Sequence, residues 1–438
     1  MRFFRTKPGP LILMSYLLVN MVGTLLLLLP WSSAQPGRAT LLEAWFTATS
    51  ALTVTGLIVV PTDTYWSIWG HTVILFLMQI GGLGLMVIAT LLLTALGMKI
   101  QLGHRALIAQ ERNHFSLTGV VKLVQSVLIL TLLIELIGVI ALALLLPGLW
   151  DNGWFEGFFF TLFHTVSAFN GAGFDLTGES LAPYKDYSAV VFVFTALILI
   201  GSLGFVVLQE LFVMRNWRRL SLHSRLVLWV TAAIALVGAF LYLITAYSRG
   251  LEEFSWTHQM IYSLFQSITR TAGFTTEPVT FWADPYILLM ILMMFIGASP
   301  GSVGGGIKTT TFGTIILAVW AFVRGRKEVV IFEREIAADS VMKAFTVAVT
   351  AALLVFISTL LLMLIEGLPF KPVLFEVVSA LATVGLSMGI TADLSPFGQV
   401  VIGLLMLVGR IGVLSLITIL AGKEIRRVRY MKESILIG

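Results

Sequence analysis

Four tetrapeptides that end in glycine recur along the chain and could present backbone carbonyl groups to a cation. A serine stands six residues before each final glycine, and a leucine or phenylalanine follows it. The tetrapeptides are Thr53-Val54-Thr55-Gly56, Asn170-Gly171-Ala172-Gly173, Arg270-Thr271-Ala272-Gly273 and Ala382-Thr383-Val384-Gly385. Glycine permits the positive φ that turns carbonyls toward one side, and a ring of carbonyls can replace the water shell of a monovalent cation. Small residues are also common where membrane helices touch, which is the alternative interpretation.

The composition indicates that lipid surrounds the chain. Of its 438 residues, 58% are hydrophobic and 12% are charged, against about 25% charged in soluble domains. This excludes an ordinary soluble enzyme. The chain has no cysteine, so disulfides and thiolate metal sites are excluded as well. The net charge of +5 comes from short basic clusters between apolar runs, a pattern that reflects membrane topology rather than nucleic-acid binding.

Eight apolar runs are long enough to cross a bilayer, which takes about 20 residues. They predict an all-α, polytopic membrane protein with eight spanning helices. The first run is longer than the roughly 7–15 residues of a signal peptide core, so we interpret it as a span. The runs cover residues 11–30, 70–96, 123–147, 187–214, 225–247, 285–322, 344–366 and 397–422.

The basic residues predict the orientation of these spans. Alternate connections, beginning with the N-terminus, contain 21 of the 28 lysines and arginines, and such an excess marks the cytoplasmic side. We therefore expect a multi-pass protein of the cell (plasma) membrane with both termini cytoplasmic. Fourteen of the 23 acids fall on the outer side. They predict a vestibule that concentrates cations, unless they merely follow the longer outer loops.

A semi-apolar stretch too short to cross the bilayer precedes each tetrapeptide. At about 1.5 Å per residue, 10–15 residues reach roughly half to two-thirds of the hydrocarbon core, as re-entrant half-helices do. Non-helical backbone at membrane depth must be buried or line an aqueous path. The chain thus predicts four span/half-helix/loop/span repeats around a central pore. The half-helices are expected at 41–53, 155–169, 257–269 and 373–382, and the repeats at 8–98, 119–215, 223–323 and 341–424, before a cytoplasmic tail at 425–438.

The sixth span contains a run that should not stay helical. Its residues are Gly297, Ala298, Ser299, Pro300, Gly301, Ser302, Val303, Gly304, Gly305 and Gly306. Glycine costs about 1 kcal/mol and proline about 3 kcal/mol in a helix interior, so we expect an irregular loop below the tetrapeptides. It could gate a permeation path, or be a static kink. Lys308 at its end could join the gate or extend to interfacial water.

Two further charges lie deep in apolar spans. Arg410 in the eighth span should face the pore, where it could repel cations, hydrogen-bond the glycine-rich loop or form an ion pair. Glu135 in the third span could couple transport to protons or sodium, or could form an interhelical hydrogen bond. His71, His164 and His258 lack metal-ligand spacing, and no catalytic or nucleotide-binding motif is present. We therefore do not expect an enzyme.

The tetrapeptides, the repeats and the interrupted sixth span resemble the membrane subunit of the Ktr/Trk/HKT superfamily of potassium uptake systems, most closely the Ktr type. The resemblance covers nearly the whole chain. It implies that the tetrapeptides form a selectivity filter, and that a glycine in all four favours potassium. It also implies that the intramembrane loop acts as a gate together with Arg410. Potassium is then the substrate, with possible sodium dependence, and the chain itself needs no cofactor.

The resemblance further implies a homodimer and a cytosolic ring of nucleotide-binding regulatory subunits. Basic cytoplasmic residues such as Arg324, Arg326 and Lys327 could dock that ring, or could serve topology alone. Membrane lipid is the other expected contact. A sodium- or proton-coupled secondary transporter is the alternative function, although such proteins more often show inverted repeats around a midplane site. A membrane enzyme would need clustered polar groups, which the sequence lacks.

Overall fold

The computed structural model describes residues 8–84, 120–151, 153–214, 216–247 and 251–420. Four parts of the sequence interpretation lie outside these residues. They are the N-terminal basic cluster, the second half of the second predicted span (85–96), most of the basic connection 97–122, and the cytoplasmic tail 425–438 with Arg426, Arg427 and Arg429. The orientation of the termini therefore stays a prediction.

The described residues are mainly helical, with one small hairpin. Two short strands, β1 (Val330–Ile331) and β2 (Arg334–Glu335), pair antiparallel with Val330 opposite Glu335. The helices are α1 (Pro8–Leu27), α2 (Leu41–Thr53), α3 (Thr62–Tyr65), α4 (Ile68–Leu83), α5 (Val120–Leu145), α6 (Trp154–Asn170), α7 (Ser188–Leu203), α8 (Phe205–Met214), α9 (Leu222–Tyr247), α10 (Trp256–Ile268), α11 (Asp284–Ile296), α12 (Thr309–Val323), α13 (Ala338–Glu366), α14 (Phe370–Ala382), α15 (Pro396–Ile411) and α16 (Val413–Leu420).

Three helices in this part of the chain are long and apolar enough to cross a membrane by themselves: α5, α9 and α13. The pair α7 and α8 would be a fourth, although it bends by 98°. Five shorter apolar helices accompany them. Large apolar side chains on the outer faces of these helices stay exposed, for example Leu144 and Phe322 at 80% and 83%. Such surfaces suit lipid rather than water.

Four short helices, α2, α6, α10 and α14, occupy the stretches where half-length helices were expected. Of these, α2, α6 and α14 pack against the longer helices that precede and follow them in the chain, whereas α10 packs against the preceding α9 and against α7. A capping box begins α2, because the Thr40 hydroxyl accepts from the Glu43 amide and the Glu43 carboxylate accepts from the Thr40 amide. Left-handed backbone ends three of the four, at Val54, Gly171 and Thr383.

The third short helix ends differently. After Ile268, α10 continues into a 3₁₀ turn over Thr269–Thr271. The Ala272 and Gly273 amides both donate to the Thr269 carbonyl, at 2.8 and 3.1 Å. The first two residues of the third tetrapeptide therefore lie in a 3₁₀ turn, whereas left-handed backbone follows the other three short helices.

The broken sixth span is not the only interruption. The fourth predicted span bends at Gly204, and the eighth, expected to be continuous, breaks at Gly412 between α15 and α16. The helix α4 also ends at a glycine, Gly84. The three glycines have φ of 84°, 91° and 89° with ψ of 137°, 140° and 136°. Only glycine adopts this backbone conformation without strain.

A second set of glycines brings the long helices close to the short ones. A Cβ added at Gly81 or Gly409 would lie 2.0 Å from the carbonyl oxygen of Leu52 or Leu381, respectively. At Gly201 the corresponding distance to the Phe169 carbonyl oxygen is 1.9 Å. These carbonyls lie in the last turns of α2, α14 and α6. Any side chain at these positions would push the short helices away.

We therefore expect Gly201→Ala to destabilise the protein. Replacing a helical glycine by alanine normally stabilises by about 1 kcal/mol, whereas overpacking a rigid contact costs about 1–3 kcal/mol. The thermal unfolding midpoint of the purified protein in detergent should fall. The matched control is Gly23→Ala in α1, whose new Cβ would meet only the flexible end of the Leu77 side chain, at 2.9 Å. Equal midpoints for the two variants would contradict the close-approach argument.

Candidate functional site

The final glycines of the four tetrapeptides form a closed ring, which we call the glycine ring. A Cβ added to each would approach the carbonyl oxygen of the residue before the glycine in the next loop. These contacts are Gly56 with Ala172 at 2.1 Å, Gly173 with Ala272 at 2.7 Å, Gly273 with Val384 at 2.5 Å, and Gly385 with Thr55 at 2.0 Å. The last contact returns to the first loop, so the four loops surround one axis in chain order.

Local hydrogen bonds hold the loops of the ring in place. The hydroxyl oxygens of Ser50 and Ser379 accept from the amides of Gly56 and Gly385, both at 3.0 Å. Ser167 instead donates to the Phe174 carbonyl at 2.7 Å, while Ser267 donates to Ile234 in α9 at 3.4 Å. Three of the four repeated serines thus brace their own loop, and the serine of the third loop binds a neighbouring helix.

The carbonyls that meet at the ring are available to a ligand. Within residues 8–84, 120–151, 153–214, 216–247 and 251–420, no hydrogen-bond donor pairs with the carbonyl oxygens of Thr55, Ala172, Ala272 or Val384. All four ring glycines have positive φ, between 71° and 98°. Each is partly exposed, whereas the three residues before it in each tetrapeptide are buried. This arrangement suits oxygen ligation of a cation on a water-accessible axis.

The side chains at the first tetrapeptide positions are engaged away from the ring. Arg270 is buried, and its Nη1 donates to the carbonyl oxygens of Met293 at 3.1 Å and Gly297 at 2.6 Å. It therefore binds carbonyls at the end of α11, as a cation at a helix C-terminus can; the Met293 carbonyl also accepts from the Gly297 amide. The Thr53 hydroxyl donates to Thr49 in its own helix, at 2.7 Å.

The glycine-rich segment of the sixth span is irregular over residues 297–308, and we call it the intramembrane loop. It packs against the bend of the fourth span. The Ser299 amide donates to the Ser202 carbonyl at 3.1 Å, and the Phe205 amide donates to the Gly301 carbonyl at 3.2 Å. A Cβ added at Gly305 would lie 2.7 Å from the Ala382 carbonyl oxygen. The loop thus lies directly against the end of the fourth short helix.

Arg410, in the last turn of α15, links the intramembrane loop to the opposite side of the site. Its guanidinium donates to the carbonyl oxygens of Val303 in the loop and of Gly81 in α4, with a longer contact to Gly82 at 3.4 Å. Among the described residues the one salt bridge joins Lys371 and Asp284, both exposed. The ion-pair interpretation of Arg410 thus has no described partner, and the hydrogen-bonding interpretation agrees with the geometry.

The backbone of Lys308 has a positive φ, like the glycines that end or bend three of the other helices. Its φ is 82° and its ψ is 141°, close to the values at Gly84, Gly204 and Gly412. A side chain in such a conformation costs about 1–3 kcal/mol. The Lys308 ammonium donates to the carbonyl oxygens of Gly304 and Gly305 within the loop. The lysine therefore contacts the loop itself.

His71, His164 and His258 each form a hydrogen bond to a neighbouring protein group. His164 pairs through Nδ1 with the Phe160 carbonyl at 2.8 Å, and its Nε2 accepts from the Leu176 amide at 3.3 Å. His258 pairs with the Ser188 hydroxyl at 2.6 Å, and His71 with the Thr62 carbonyl at 2.7 Å. No group of three His, Asp or Glu side chains in the described part of the chain could hold a metal ion.

Sequence reasoning missed a polar cluster behind the second tetrapeptide. Gln79 in α4 and Glu135 in α5 meet Asn170 at the end of α6. Gly82 leaves room for Asn170, since a Cβ there would lie 1.7 Å from Asn170 Oδ1. The partners are distant in sequence, so spacing does not reveal them. The signal was the presence of a glutamine and a glutamate inside two apolar spans. Glu135 does form an interhelical hydrogen bond, as one of its two interpretations expected.

The chain is similar to known cation transport proteins over nearly its whole length. The family model of TrkH, described as "Cation transport protein", matches residues 10–425. The Ktr system potassium uptake protein B of Bacillus subtilis (strain 168) is 38% identical over 440 residues, covering 100% of this chain and 98% of the relative. The potassium/sodium uptake protein NtpJ of Enterococcus hirae is 34% identical, covering 99% and 98%.

Among solved structures, the crystal structure of the potassium transporter TrkH from Vibrio parahaemolyticus superposes with a TM-score of 0.73. It is 19% identical and covers 94% of this chain and 84% of its own, so it supports the fold. The family match and the relatives above 30% identity group this chain with cation transporters rather than with enzymes. The chain belongs to the TrkH/Ktr family of cation transport proteins.

Proposed function

We propose that the chain is the potassium-conducting membrane subunit of an ion uptake system, and that the glycine ring is its selectivity filter. The observation that carries the proposal is the closed order of the ring, in which each glycine packs on the carbonyl oxygen of the next loop. The names of the similar Ktr proteins, which are potassium uptake proteins, support the ion assignment.

In this proposal the four short helices belong to four span/half-helix/loop/span repeats around one pore. The outer spans of the repeats are α1, α5, α9 and α13, and the inner ones are α4, α7 with α8, α11 with α12, and α15 with α16. Three of the inner spans are each made of two shorter helices, so they contribute no single long, continuous apolar helix among the described residues. The repeats run 8–98, 119–215, 223–323 and 341–424.

Conduction would follow from simple electrostatics. Ring carbonyls replace the water that a potassium ion loses. The short helices point their C-terminal, partially negative ends toward the axis, which favours a cation there. Ions then move down their electrochemical gradient without a covalent step. The residues assigned to the filter are the sixteen of the four tetrapeptides, with Thr53, Asn170, Arg270 and Ala382 anchoring the loops from behind.

Gly56→Ser tests the filter directly. The new Cβ would lie 2.1 Å from the Ala172 carbonyl oxygen, so that oxygen must leave its place and potassium loses a ligand. We expect the preference for potassium over sodium to fall about tenfold, or ~1.4 kcal/mol. The measurement is cation flux into liposomes, comparing potassium, rubidium, sodium and lithium.

The control for this substitution is Gly389→Ser. Gly389 also has positive φ, at 91°, but has nothing within 4 Å of an added Cβ. It should leave the preference unchanged. A wild-type protein without cation flux, or a Gly56→Ser variant with unaltered preference, would show that the ring is not the filter.

The gate in this proposal is the intramembrane loop with Arg410 and Lys308. The loop lies against the end of the fourth short helix, where it blocks the axis on the cytoplasmic side. Arg410 holds it to α4 and adds a positive charge that repels cations. Its gate residues are Gly297, Ala298, Ser299, Pro300, Gly301, Ser302, Gly304, Gly305, Gly306, Lys308 and Arg410.

Removing the arginine should open the path. Arg410→Ala loses the bonds to Val303 and Gly81 and removes the charge, so rubidium uptake into liposomes should rise several-fold. Arg410→Lys should be intermediate, because one ammonium cannot reproduce the two-armed guanidinium contact. Lys371→Ala, which breaks the exposed ion pair with Asp284, is the control. A fall in uptake by folded Arg410→Ala protein would refute the gate.

Lys308 allows a test of backbone strain in the gate. Lys308→Gly and Lys308→Ala lose the same ammonium group, but only alanine keeps a Cβ at φ 82°. We expect the glycine variant to be more stable by about 1 kcal/mol, since the strain of about 1–3 kcal/mol exceeds the unfolded-state entropy cost of glycine, about 0.4–1 kcal/mol. Thermal unfolding measures this difference.

The matched pair for Lys308 is Lys343→Gly and Lys343→Ala. Lys343 is exposed within α13, and there alanine should be the more stable by about 1 kcal/mol. If alanine is also the more stable residue at position 308, the lysine is not strained.

The assembly belongs to the same proposal. We place the protein in the cell membrane as a homodimer, surrounded by lipid, with both termini cytoplasmic. A cytosolic ring of nucleotide-binding subunits would regulate it. The exposed Arg324, Arg326 and Lys327 offer a docking surface for that ring beside the β-hairpin. Sodium dependence belongs to the same proposal and is supported by the name of the Enterococcus relative, a potassium/sodium uptake protein.

A further inference from the structure

The polar cluster behind the second tetrapeptide joins three helices. Gln79 Nε2 donates to Glu135 Oε2 at 3.1 Å, and Asn170 Nδ2 donates to Gln79 Oε1 at 3.0 Å. Asn170 Nδ2 also donates to the Val166 carbonyl at 2.9 Å and lies 3.4 Å from Glu135 Oε1. A carboxyl group on α5 is thus connected through α4 to the last residue of α6.

Two of the three side chains in the cluster are buried, which is energetically unfavourable for polar groups. Glu135 and Asn170 are 6% and 0% exposed, and a buried polar group is unfavourable unless it is hydrogen-bonded. The Glu135 carboxyl group, the Gln79 amide group and the Asn170 amide nitrogen find partners within the cluster, while the buried Asn170 Oδ1 has none among the described residues. The two amides and the carboxyl group therefore depend on one another, and removing one leaves the others unsatisfied.

The direction of the hydrogen bonds matters. Glu135 Oε2 accepts a hydrogen bond from the NH₂ group of Gln79, which is thereby turned toward α5. The Gln79 carbonyl oxygen then faces Asn170 and accepts from its NH₂ group. The Asn170 NH₂ group thereby donates to Gln79 and Val166, with a longer, shared hydrogen bond to Glu135 Oε1 at 3.4 Å. Glu135 fixes the orientation of Asn170 although it lies on a different helix.

Asn170 is the first residue of the second tetrapeptide and precedes Gly171, which ends α6 in the left-handed conformation at φ 68°. Gln79 stands two residues before Gly81, which packs on the last turn of α2. The cluster consequently connects the bases of the first two loops of the glycine ring. The other first positions differ, because Thr53 binds its own helix, Arg270 binds the end of α11, and Ala382 has no polar side chain.

We infer that Glu135 is a positioning residue for ion selectivity, which acts through Gln79 and Asn170 to fix the second loop of the glycine ring. This inference rests on the proposed function of the ring as a filter. Glu135 need not touch the ion, since its effect is to set where the Ala172 and Gly173 backbone lies relative to the neighbouring loops.

The experiment measures the potassium-to-sodium permeability ratio of full-length protein in liposomes. Glu135→Leu keeps the approximate volume but removes the acceptor, so the ratio should fall several-fold. Glu135→Gln retains an acceptor oxygen for Gln79, and its ratio should stay within about twofold of wild type, a change of ~0.4 kcal/mol or less. Gln79→Met breaks the same connection without altering the acid and should reproduce the Glu135→Leu result.

The control on the same helix is Thr131→Val. Thr131 lies one turn before Glu135, is fully buried, and its hydroxyl has no hydrogen-bond partner among the described residues. Its substitution should leave the ratio unchanged. If Glu135→Leu does not fold, which size-exclusion chromatography would show, Gln79→Met decides the inference by itself.

Other outcomes would overturn the inference. If both Glu135→Gln and Glu135→Leu abolish transport, the charge itself is required and the residue couples transport rather than positions the loop. If Glu135→Leu and Gln79→Met leave the ratio unchanged while Gly173→Ser lowers it, the ring is the filter and the cluster does not position it. If Gly173→Ser also has no effect, the proposed filter fails, and this inference fails with it.

Discussion

Carbonyl oxygens that converge inside a membrane must be held against their mutual repulsion, and in this protein glycine makes that possible. At each ring position the space for a side chain is taken by the carbonyl group of the next loop, at 2.0–2.7 Å from where a Cβ would stand. The loops are therefore held by contact with one another as well as by their own short helices. A single ring residue cannot be enlarged without displacing the carbonyl oxygen of the neighbouring loop.

The same principle extends outward from the ring. Gly81, Gly201 and Gly409 let the inner spans touch the last turns of the short helices. A few residues further, Gly84, Gly204 and Gly412 end or bend those spans. At the end of the intramembrane loop, Lys308 adopts the same backbone conformation as these glycines. The strained lysine therefore ends the irregular segment that packs against the fourth short helix.

Much of this arrangement could be predicted from the sequence. The tetrapeptides were found because serine and glycine recur in register, and the short helices because their apolar stretches are too brief to cross a bilayer. The irregular loop could be predicted from ten residues that contain five glycines and one proline. The breaks at Gly204 and Gly412 could not be predicted from the sequence. A single glycine costs a helix only about 1 kcal/mol, and an apolar run around it resembles a continuous helix.

The remaining features depend on tertiary contacts. Asn170 bonds to residues 91 and 35 positions away in the chain, and the carbonyl partners of Arg410 are 107 and 329 positions away. Carbonyl groups occur at every residue, so the sequence does not mark which of them an arginine will bind. The sequence predicted that Arg410 faces the pore, but its carbonyl partners depend on how the second, sixth and eighth spans pack.

The most direct measurement is anomalous X-ray scattering from rubidium in crystals of the full-length protein. If the glycine ring binds potassium-like cations, anomalous density should lie on the axis, next to the carbonyl oxygens of Thr55, Ala172, Ala272 and Val384, and potassium should compete for it more strongly than sodium. Crystals with rubidium bound only elsewhere, or with no density on the axis, would contradict the assignment of the ring as the selectivity filter.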